Sequence, residues 1–253
     1  SPYYRCLEWE GGADMATEMR VGMIGAGSWA SRHVEAWQKA GAEVVAVYNR
    51  TRPRAEKLAQ EFGIPDISQD AQGVITRDDI NIVSISMPNN LHHPLSLAAI
   101  AAGKHVYCEK PLAMSYAEAK EMWQRANEAG VKTGMQFNPR TDPSWLEIKR
   151  RVDSGYLGRL HHVELNFASD FCANPELPMM WRFSRDVSGT GALGDLGVYM
   201  IDMARWIVGE IASVSGMLRT YIHERKVIPD EYDMFEVLAM GRKGTAPTTG
   251  EVA

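Results

Sequence analysis

Along the first part of the chain, short apolar runs alternate with longer segments in which apolar residues recur at helical spacing. The runs predicted to be strands are 21–24, 44–48, 82–86, 106–108 and 133–137. The segments predicted to be helices are 29–39, 53–62, 94–102 and 115–129. Alternation of this kind is typical of a parallel sheet whose strands are joined by crossover helices. The pattern therefore predicts an α/β fold with a Rossmann-type parallel sheet.

Glycine and serine mark the ends of these helices. Gly41, Gly63 and Gly103 follow three helix ends, where a residue with positive φ is often required. Ser115 and Glu118 have the spacing of a capping box, which predicts that a helix begins there.

The pattern changes after Arg140, and we place a domain boundary near that residue. The later segments are predicted to be a helix over 143–154, an alternating strand over 160–167, an apolar helix ending at Gly209 and a strand over 213–221. This mixture predicts an α+β second domain.

The chain is thus divided into a first domain over 20–140 and a second over 141–253. The opening residues, 1–19, show no such pattern, and we interpret them as a tail or a remnant of tagging or upstream read-through. The sequence ends as a further strand begins.

Composition narrows the class of protein. Apolar residues make up 45% and charged residues 23% of the chain, which is ordinary for a soluble globular protein. The net charge of −5, without a basic stripe, argues against nucleic acid as a partner. We find neither a signal peptide nor an apolar stretch that could cross a bilayer. Three scattered cysteines, Cys6, Cys108 and Cys172, predict neither a disulfide framework nor a metal site, so we expect a cytoplasmic protein without a metal.

The first candidate for chemistry is the turn Gly25-Ala-Gly27-Ser-Trp-Ala30, which follows a predicted strand and opens a predicted helix. In a dinucleotide-binding turn the second glycine lets the backbone approach a pyrophosphate, and the helix N-terminus faces the anion. The alternative is a tight strand-to-helix turn without a ligand. The context favours cofactor binding.

The end of the second predicted strand bears on the choice of dinucleotide. An acidic residue there would hold the adenosine ribose of NAD, but this chain has Asn49-Arg50-Thr51-Arg52. Asn49 can bond a ribose hydroxyl, and Arg50 or Arg52 can pair with a 2′-phosphate. NADP is therefore favoured over NAD, with a solvated basic turn as the alternative.

Two further groups carry candidate catalytic residues. Lys110, in Glu109-Lys110-Pro111, follows a predicted strand and is suited to proton transfer, although a surface ion pair with Glu109 is an equal alternative. Asp195, Tyr199 and Asp202 share one face of a predicted apolar helix, where satisfied caps or core hydrogen bonds are the alternative.

Together these features resemble the Gfo/Idh/MocA family, which includes glucose-fructose oxidoreductase and inositol dehydrogenase. The resemblance covers 20–221. It is carried by the glycine turn, Pro88-Asn89-Asn-Leu-His92, the run from Ala102 through Glu109-Lys110-Pro111 to Ala113, Phe137-Asn-Pro-Arg140, Trp181-Arg-Phe, and the run from Gly191 to Asp202.

The resemblance implies roles for individual residues. In the family the lysine of Glu-Lys-Pro acts with an aspartate and a histidine four residues apart, and Tyr199 replaces the histidine here. That departure looks like the branch of glucose-fructose oxidoreductase and the dihydrodiol and aldose dehydrogenases, several of which use NADP. The expected catalytic residues are Lys110, Tyr199 and Asp195. Those expected at the substrate are Arg140, Trp181, Asp195 and Tyr199. Those expected at the cofactor are Gly25, Gly27, Ser28, Trp29, Asn49, Arg50, Pro88, Asn89, His92, Glu109 and Lys110.

The expected function is reversible hydride transfer between NAD(P) and a hydroxyl of a sugar, cyclitol or dihydrodiol. Lys110 and Tyr199 would form the proton-transfer pair, with Lys110 lowering the pKa of the phenol. The resemblance also implies an open sheet in the second domain, which this chain is expected to leave incomplete, and a homo-oligomer formed through that sheet. The alternatives are a redox-assisted glycosidase or lyase, and a non-catalytic dinucleotide-binding regulator, against which Lys110 argues.

Overall fold

The computed structural model describes residues 19–170, 172–227, 232 and 236–239. Its first half is a parallel sheet of six strands: β1 (Arg20–Ile24), β2 (Glu43–Tyr48), β3 (Asp66–Ile67), β4 (Ile82–Ile85), β5 (His105–Cys108) and β6 (Thr133–Met135). The helices of this half are α1 (Ala30–Lys39), α2 (Arg52–Phe62), α3 (Ala71–Ile75), α4 (His92–Ala101) and α5 (Tyr116–Ala129).

The strands lie in the order β3-β2-β1-β4-β5-β6, and all pairs are parallel. This is the order of a doubly wound dinucleotide-binding sheet, in which the chain direction along the sheet reverses between β1 and β4. Ligands of such sheets bind outside the carboxyl ends of the strands at that reversal. The predicted α/β class is confirmed.

Two apolar layers cover the two faces of the sheet. One contains Ile24, Val83 and Ile85 with residues of α3 and α4, and the other contains Val21 and Met23 with residues of α1 and α2. Because both faces are buried, the central strands read as nearly continuous apolar runs.

The predicted helix ends agree with the structure at the level of single hydrogen bonds. Gly63 and Gly130 have positive φ at the ends of α2 and α5. The Ser115 hydroxyl accepts a hydrogen bond from the Glu118 N–H, and the Glu118 carboxylate accepts one from the Met114 N–H. Helix α4 begins two residues before the predicted start, at His92.

The second half contains α6 (Pro143–Asp153), α7 (Arg185–Ser188) and α8 (Val198–Ile207). A 3₁₀ turn, Trp181–Phe183, precedes α7, and a π-helical turn, Leu193–Gly197, leads directly into α8. The predicted helices over 143–154 and up to Gly209 are therefore present.

Both predictions of a strand in this half are wrong. In the described part of the second half, 160–167 and 213–221 are irregular, and no described strand runs beside them. A strand requires a neighbour that takes up its backbone N–H and C=O groups. The alternating side chains accordingly stay exposed, as at Phe167, Val214 and Met217.

Among the described residues, no helix is long and apolar enough to cross a membrane.

Candidate active site

The turn after β1 depends on a glycine at position 25. Gly25 has φ of 109°, and its N–H donates to the Tyr48 carbonyl over 2.7 Å. A Cβ built on Gly25 would lie 2.2 Å from the carbonyl oxygen of Ser86, in the loop after β4. Gly25 thus allows the loops after β1 and β4 to meet.

Gly27 meets a different requirement. No atom lies within 4 Å of a Cβ built there, and Gly27 lines a cleft of about 440 Å³. Any side chain at this position would project into that cleft. An open backbone directly before α1 fits a pyrophosphate that approaches the chain closely.

The cleft lies at the carboxyl ends of four parallel strands, β1, β2, β4 and β5. Residues of the second half cover it. Its walls from the first half are Gly27, Ser28, Trp29, Asn49, Arg50, Thr51, Arg54, Ser86, Met87, Pro88, Asn89, Asn90, Leu91, Glu109 and Lys110. Its walls from the second half are Met179, Met180, Trp181, Arg182, Val187, Asp195, Tyr232 and Val237. Most of the residues expected at the cofactor are therefore brought together here.

Asn49 fastens the glycine turn to the end of β2. Its Oδ1 accepts from the Ala26 N–H over 3.0 Å, and its Nδ2 donates to the Thr51 carbonyl over 3.0 Å. The amide is thus already used in the turn, and Arg50 and Arg54 are the cations that line this end of the cleft.

His92 does not line the cleft, contrary to the expectation that it holds the cofactor. Its ring is fully buried, with Nδ1 2.7 Å from the Pro111 carbonyl and Nε2 2.8 Å from the Met87 carbonyl. Burial lowers the pKa of this ring. His92 joins the loop after β4 to the loop after β5, so it supports the cleft from behind.

Lys110 and Asp195 form the central pair of the site. Lys110 Nζ donates to the Asp195 carboxylate over 2.5 Å and to the Asp195 carbonyl over 2.6 Å. The lysine side chain is only 13% exposed and the aspartate 31%. This pair connects the end of β5 to the π-helical turn before α8.

Arg182 is a site residue that the sequence interpretation did not select. Its Nε lies 3.6 Å from Asp195 Oδ2, and its guanidinium stacks 4.3 Å from the centre of the Trp181 ring. Burial lowers the pKa of Arg182, and the Asp195 charge opposes that shift. The signal was available, because Arg182 stands inside the Trp181-Arg-Phe motif.

Tyr199 lies beside the central pair but faces a second pocket. Lys110 Nζ is 5.0 Å from the centre of the Tyr199 ring, and the Phe137 ring packs at 5.1 Å. The second pocket, of about 490 Å³, is lined by Asn138, Pro139, Trp145, Glu164, Leu165, Asn166, Phe167, Tyr199 and Met200.

The pKa of the Tyr199 phenol is raised, whereas the sequence interpretation expected it to be lowered. Burial raises the pKa of the Tyr199 phenol to about 12, and the carboxylates of Glu109 and Asp195 act in the same direction. The Lys110 ammonium lies over the face of the ring, where it interacts with the π-system. The phenol is therefore a weaker acid than free tyrosine.

Arg140 pairs with Asp202, and neither residue lines the cleft or the second pocket. The guanidinium makes a two-point contact with the carboxylate, with Nε to Oδ2 at 2.8 Å and Nη2 to Oδ1 at 2.7 Å. Arg140 also lies 5.3 Å from the centre of the Trp206 ring. The pair ties the segment after β6 to α8.

The predicted common face of Asp195, Tyr199 and Asp202 is confirmed by their partners. Asp195 contacts Lys110, Tyr199 contacts Phe137 and Lys110, and Asp202 contacts Arg140. All these partners follow β5 or β6.

A doubly wound sheet, an open glycine turn and a cleft at the strand ends define a dinucleotide-binding α/β protein. Residues 19–137 match the oxidoreductase family with an NAD-binding Rossmann fold, and residues 145–248 match the GFO/IDH/MocA C-terminal domain. The chain belongs to the GFO/IDH/MocA oxidoreductase family.

Similar proteins include sugar and cyclitol dehydrogenases. Levoglucosan dehydrogenase of Pseudarthrobacter phenanthrenivorans is 35% identical over 82% of this chain and 55% of its own length. Scyllo-inositol 2-dehydrogenase (NAD(+)) of Bacillus subtilis is 32% identical over 80% of this chain and 58% of its own. A structure of levoglucosan dehydrogenase with NADH and levoglucosan superposes with a TM-score of 0.76, at 32% identity, over 85% of this chain and 61% of that one. The chain thus spans little more than half the length of these relatives.

Proposed function

We propose that this protein oxidises a hydroxyl group of an uncharged sugar, glycoside or cyclitol, reversibly, with a nicotinamide dinucleotide. The single observation that carries the proposal is the Lys110–Asp195 pair, held inside the dinucleotide cleft at the end of β5. The names of the relatives, levoglucosan dehydrogenase and inositol dehydrogenase among them, support the substrate class.

The geometry of the cleft is suited to a dinucleotide. Gly27 leaves room for the pyrophosphate, while Ser28, Trp29, Pro88 and Asn89 line the path towards Lys110. When bound, the nicotinamide supplies or accepts the hydride. The residues of this chain bind and orient the dinucleotide and move the proton that accompanies hydride transfer.

Lys110 and Asp195 are assigned the contact with the reacting hydroxyl. In the oxidation direction, Lys110 Nζ in its neutral form takes the hydroxyl proton, and in the reduction direction the ammonium returns it. Asp195 holds Nζ in place and can accept a hydrogen bond from a neighbouring hydroxyl. Tyr199, whose pKa is raised to about 12, is assigned the role of a wall beside Lys110.

The charges around this pair favour an uncharged substrate. Asp195 is shared by two cations, Lys110 and Arg182, and Glu109 lies in the same cleft. Arg140 is paired with Asp202 through two hydrogen bonds. An anionic sugar would have to compete with these carboxylates for its cations.

For the cofactor, we propose that NADP binds at least as well as NAD. Arg50 and Arg54 line the cleft at the end of β2, where the chain has Asn49 in place of an acid that would repel a 2′-phosphate. Competition binding of the two dinucleotides tests the choice. Arg50→Ala and Arg54→Ala should weaken NADP selectively. Arg52→Ala is a matched control, because Arg52 pairs with Glu56 and does not line the cleft.

A turnover assay tests the proposed function. The protein is incubated with levoglucosan, methyl glucosides and myo-inositol, each with oxidised NAD or NADP, and reduced nicotinamide is followed by absorbance. We expect reduction of cofactor with at least one substrate and its loss in Lys110→Met. Tight dinucleotide binding without turnover of any sugar, cyclitol or dihydrodiol would contradict the proposal and favour a regulator.

A further inference from the structure

A chain of hydrogen bonds runs from Trp37 on α1 through the buried side chains of Ser84 and His33 to the cleft. Trp37 Nε1 donates to Ser84 Oγ over 3.1 Å, and Ser84 Oγ lies 3.0 Å from His33 Nδ1. His33 Nε2 lies 2.9 Å from Glu109 Oε1, and the His33 side chain is 3% exposed. Neither His33 nor Trp37 lines the cleft.

The partners assign the direction of these hydrogen bonds. The indole N–H of Trp37 can only donate, so Ser84 Oγ accepts from it and has its own proton to give. A carboxylate oxygen can only accept, so the His33 ring nitrogen that faces Glu109, Nε2, carries a proton. His33 then donates to Glu109. Every group in the chain has a partner of the right kind.

Glu109 is fixed at both carboxylate oxygens. Oε1 accepts from His33, and Oε2 accepts from the Lys110 backbone N–H over 3.1 Å. The side chain is 13% exposed and lines the cleft. An acceptor-only carboxylate held by two donors stays where its charge acts on a bound molecule.

The charge of Glu109 offsets that of the groups around Asp195. Lys110 and Arg182 share the single carboxylate of Asp195, so these three groups carry a net positive charge. Glu109 cancels it. A nicotinamide ring is positively charged in its oxidised form and neutral in its reduced form, so a carboxylate in the same cleft stabilises the oxidised form selectively.

We propose that His33 is a positioning residue, which with Ser84 and Trp37 fixes the Glu109 carboxylate so that the cleft favours oxidised over reduced nicotinamide cofactor. The inference rests on the proposed use of a nicotinamide dinucleotide, but it requires no turnover. It assigns a function to a buried histidine on α1 that does not itself line the cleft.

The test is the ratio of two dissociation constants, measured by calorimetric titration with NADP⁺ and NADPH and repeated with NAD⁺ and NADH. In Glu109→Gln and His33→Leu we expect the oxidised-to-reduced Kd ratio to rise by about 3- to 10-fold. His33→Gln keeps an N–H donor near the position of Nε2 and should restore most of the original ratio.

His93→Leu is the matched control. It removes a similar histidine–glutamate pair, with His93 Nε2 3.0 Å from Glu121 Oε2, which does not line the cleft. Its ratio should equal that of the unsubstituted protein. Thermal unfolding of each variant shows whether a changed ratio reflects a loss of the fold or a displaced Glu109 carboxylate.

An unchanged ratio in His33→Leu would overturn the proposal, and so would equal weakening of both forms. If His33→Leu does not fold, Ser84→Ala and Glu109→Gln decide it, and unchanged ratios in both overturn it. Failure of the unsubstituted protein to bind any dinucleotide would overturn the proposed function together with this inference. Binding with the expected ratios but no turnover would contradict the proposed function alone.

Discussion

The two glycines of the turn after β1 illustrate how single residues act in this protein. Gly25 is required by the fold, since a Cβ there would strike the Ser86 carbonyl, whereas Gly27 faces open cleft. The same motif therefore contains one structural and one ligand-facing position. Sequence spacing alone does not separate them.

Gly27→Val is expected to weaken the binding of reduced dinucleotide by at least about 10-fold with little change in stability, because the new side chain occupies the pyrophosphate path. Fluorescence titration with NADPH and a thermal melt measure the two effects. Gly25→Val should instead lower the melting temperature. Full affinity in Gly27→Val would remove the basis for placing the pyrophosphate at this turn.

Lys110→Met and Tyr199→Phe should differ in their effects on turnover. Lys110→Met is expected to lower kcat by about 100-fold or more, as loss of a general acid-base does, with cofactor affinity largely kept. Tyr199→Phe keeps the ring against Phe137 and Lys110, and the hydroxyl it removes has a pKa raised to about 12. We expect its kcat to stay within about 10-fold of the original value.

Steady-state kinetics on the substrate identified by the panel measure both variants. If Tyr199→Phe lowers kcat as much as Lys110→Met does, the Tyr199 phenol takes part in proton transfer. In that case the double variant should be little worse than either single one, because groups that act as a unit are not additive.

At the scale of elements, the active site is assembled by joining α8 to the loops after β5 and β6. The joints are Lys110–Asp195 and Arg140–Asp202, and the π-helical turn before α8 supplies the first aspartate. Such π-helical turns are often found at functional sites.

Arg140 and Asp202 should therefore show coupled effects on stability. Both side chains are about one quarter exposed and share two hydrogen bonds. A double-mutant cycle with Arg140→Met and Asp202→Asn is expected to give a coupling energy of about 1 kcal/mol or more. Chemical denaturation measures it. The exposed pair Lys39–Glu35 on α1 is the control, for which we expect a smaller coupling.

At the scale of the whole molecule, an ion-pair network lies near the amino ends of the strands, whereas the cleft lies at their carboxyl ends. Asp79 accepts from Arg77 and from Arg20 at the start of β1, and Arg77 also pairs with Asp66. The hydrogen bond from Arg77 and then that from Arg20 hold the pKa of Asp79 well below its ordinary value. A carboxyl group whose pKa is lowered by folding stabilises the folded state above its unfolded pKa.

This stabilisation should be present at neutral pH and lost as the pH falls below about 4, the ordinary pKa of aspartate, through the lower folded value. Asp79→Asn should therefore be less stable than the unsubstituted protein at pH 7, and the difference should shrink in strong acid. Urea unfolding across that range measures it. A difference that is independent of pH would show that the Asp79 charge makes no contribution.

Much of the fold could be predicted from the sequence because local chemistry determines it. The apolar runs of the parallel sheet, the glycines that end α2 and α5 and the Ser115 cap are each set by neighbours close in the chain, and the structure has them at or near the predicted residues. The strands expected over 160–167 and 213–221 failed because strand formation depends on a partner that the alternating pattern does not specify.

The sequence by itself determined the parallel α/β sheet, the glycine turn and the identity of Lys110 and Asp195 as candidate residues. Only the tertiary structure decided that Asp195 serves both Lys110 and Arg182, that His92 lies behind the cleft, and that the Lys110 ammonium sits over the Tyr199 ring. The physical reason is the separation along the chain of the residues that interact. Helix ends and apolar periodicity depend on residues a few positions apart, whereas burial and charge pairing join positions such as 110 and 195 that only folding brings together.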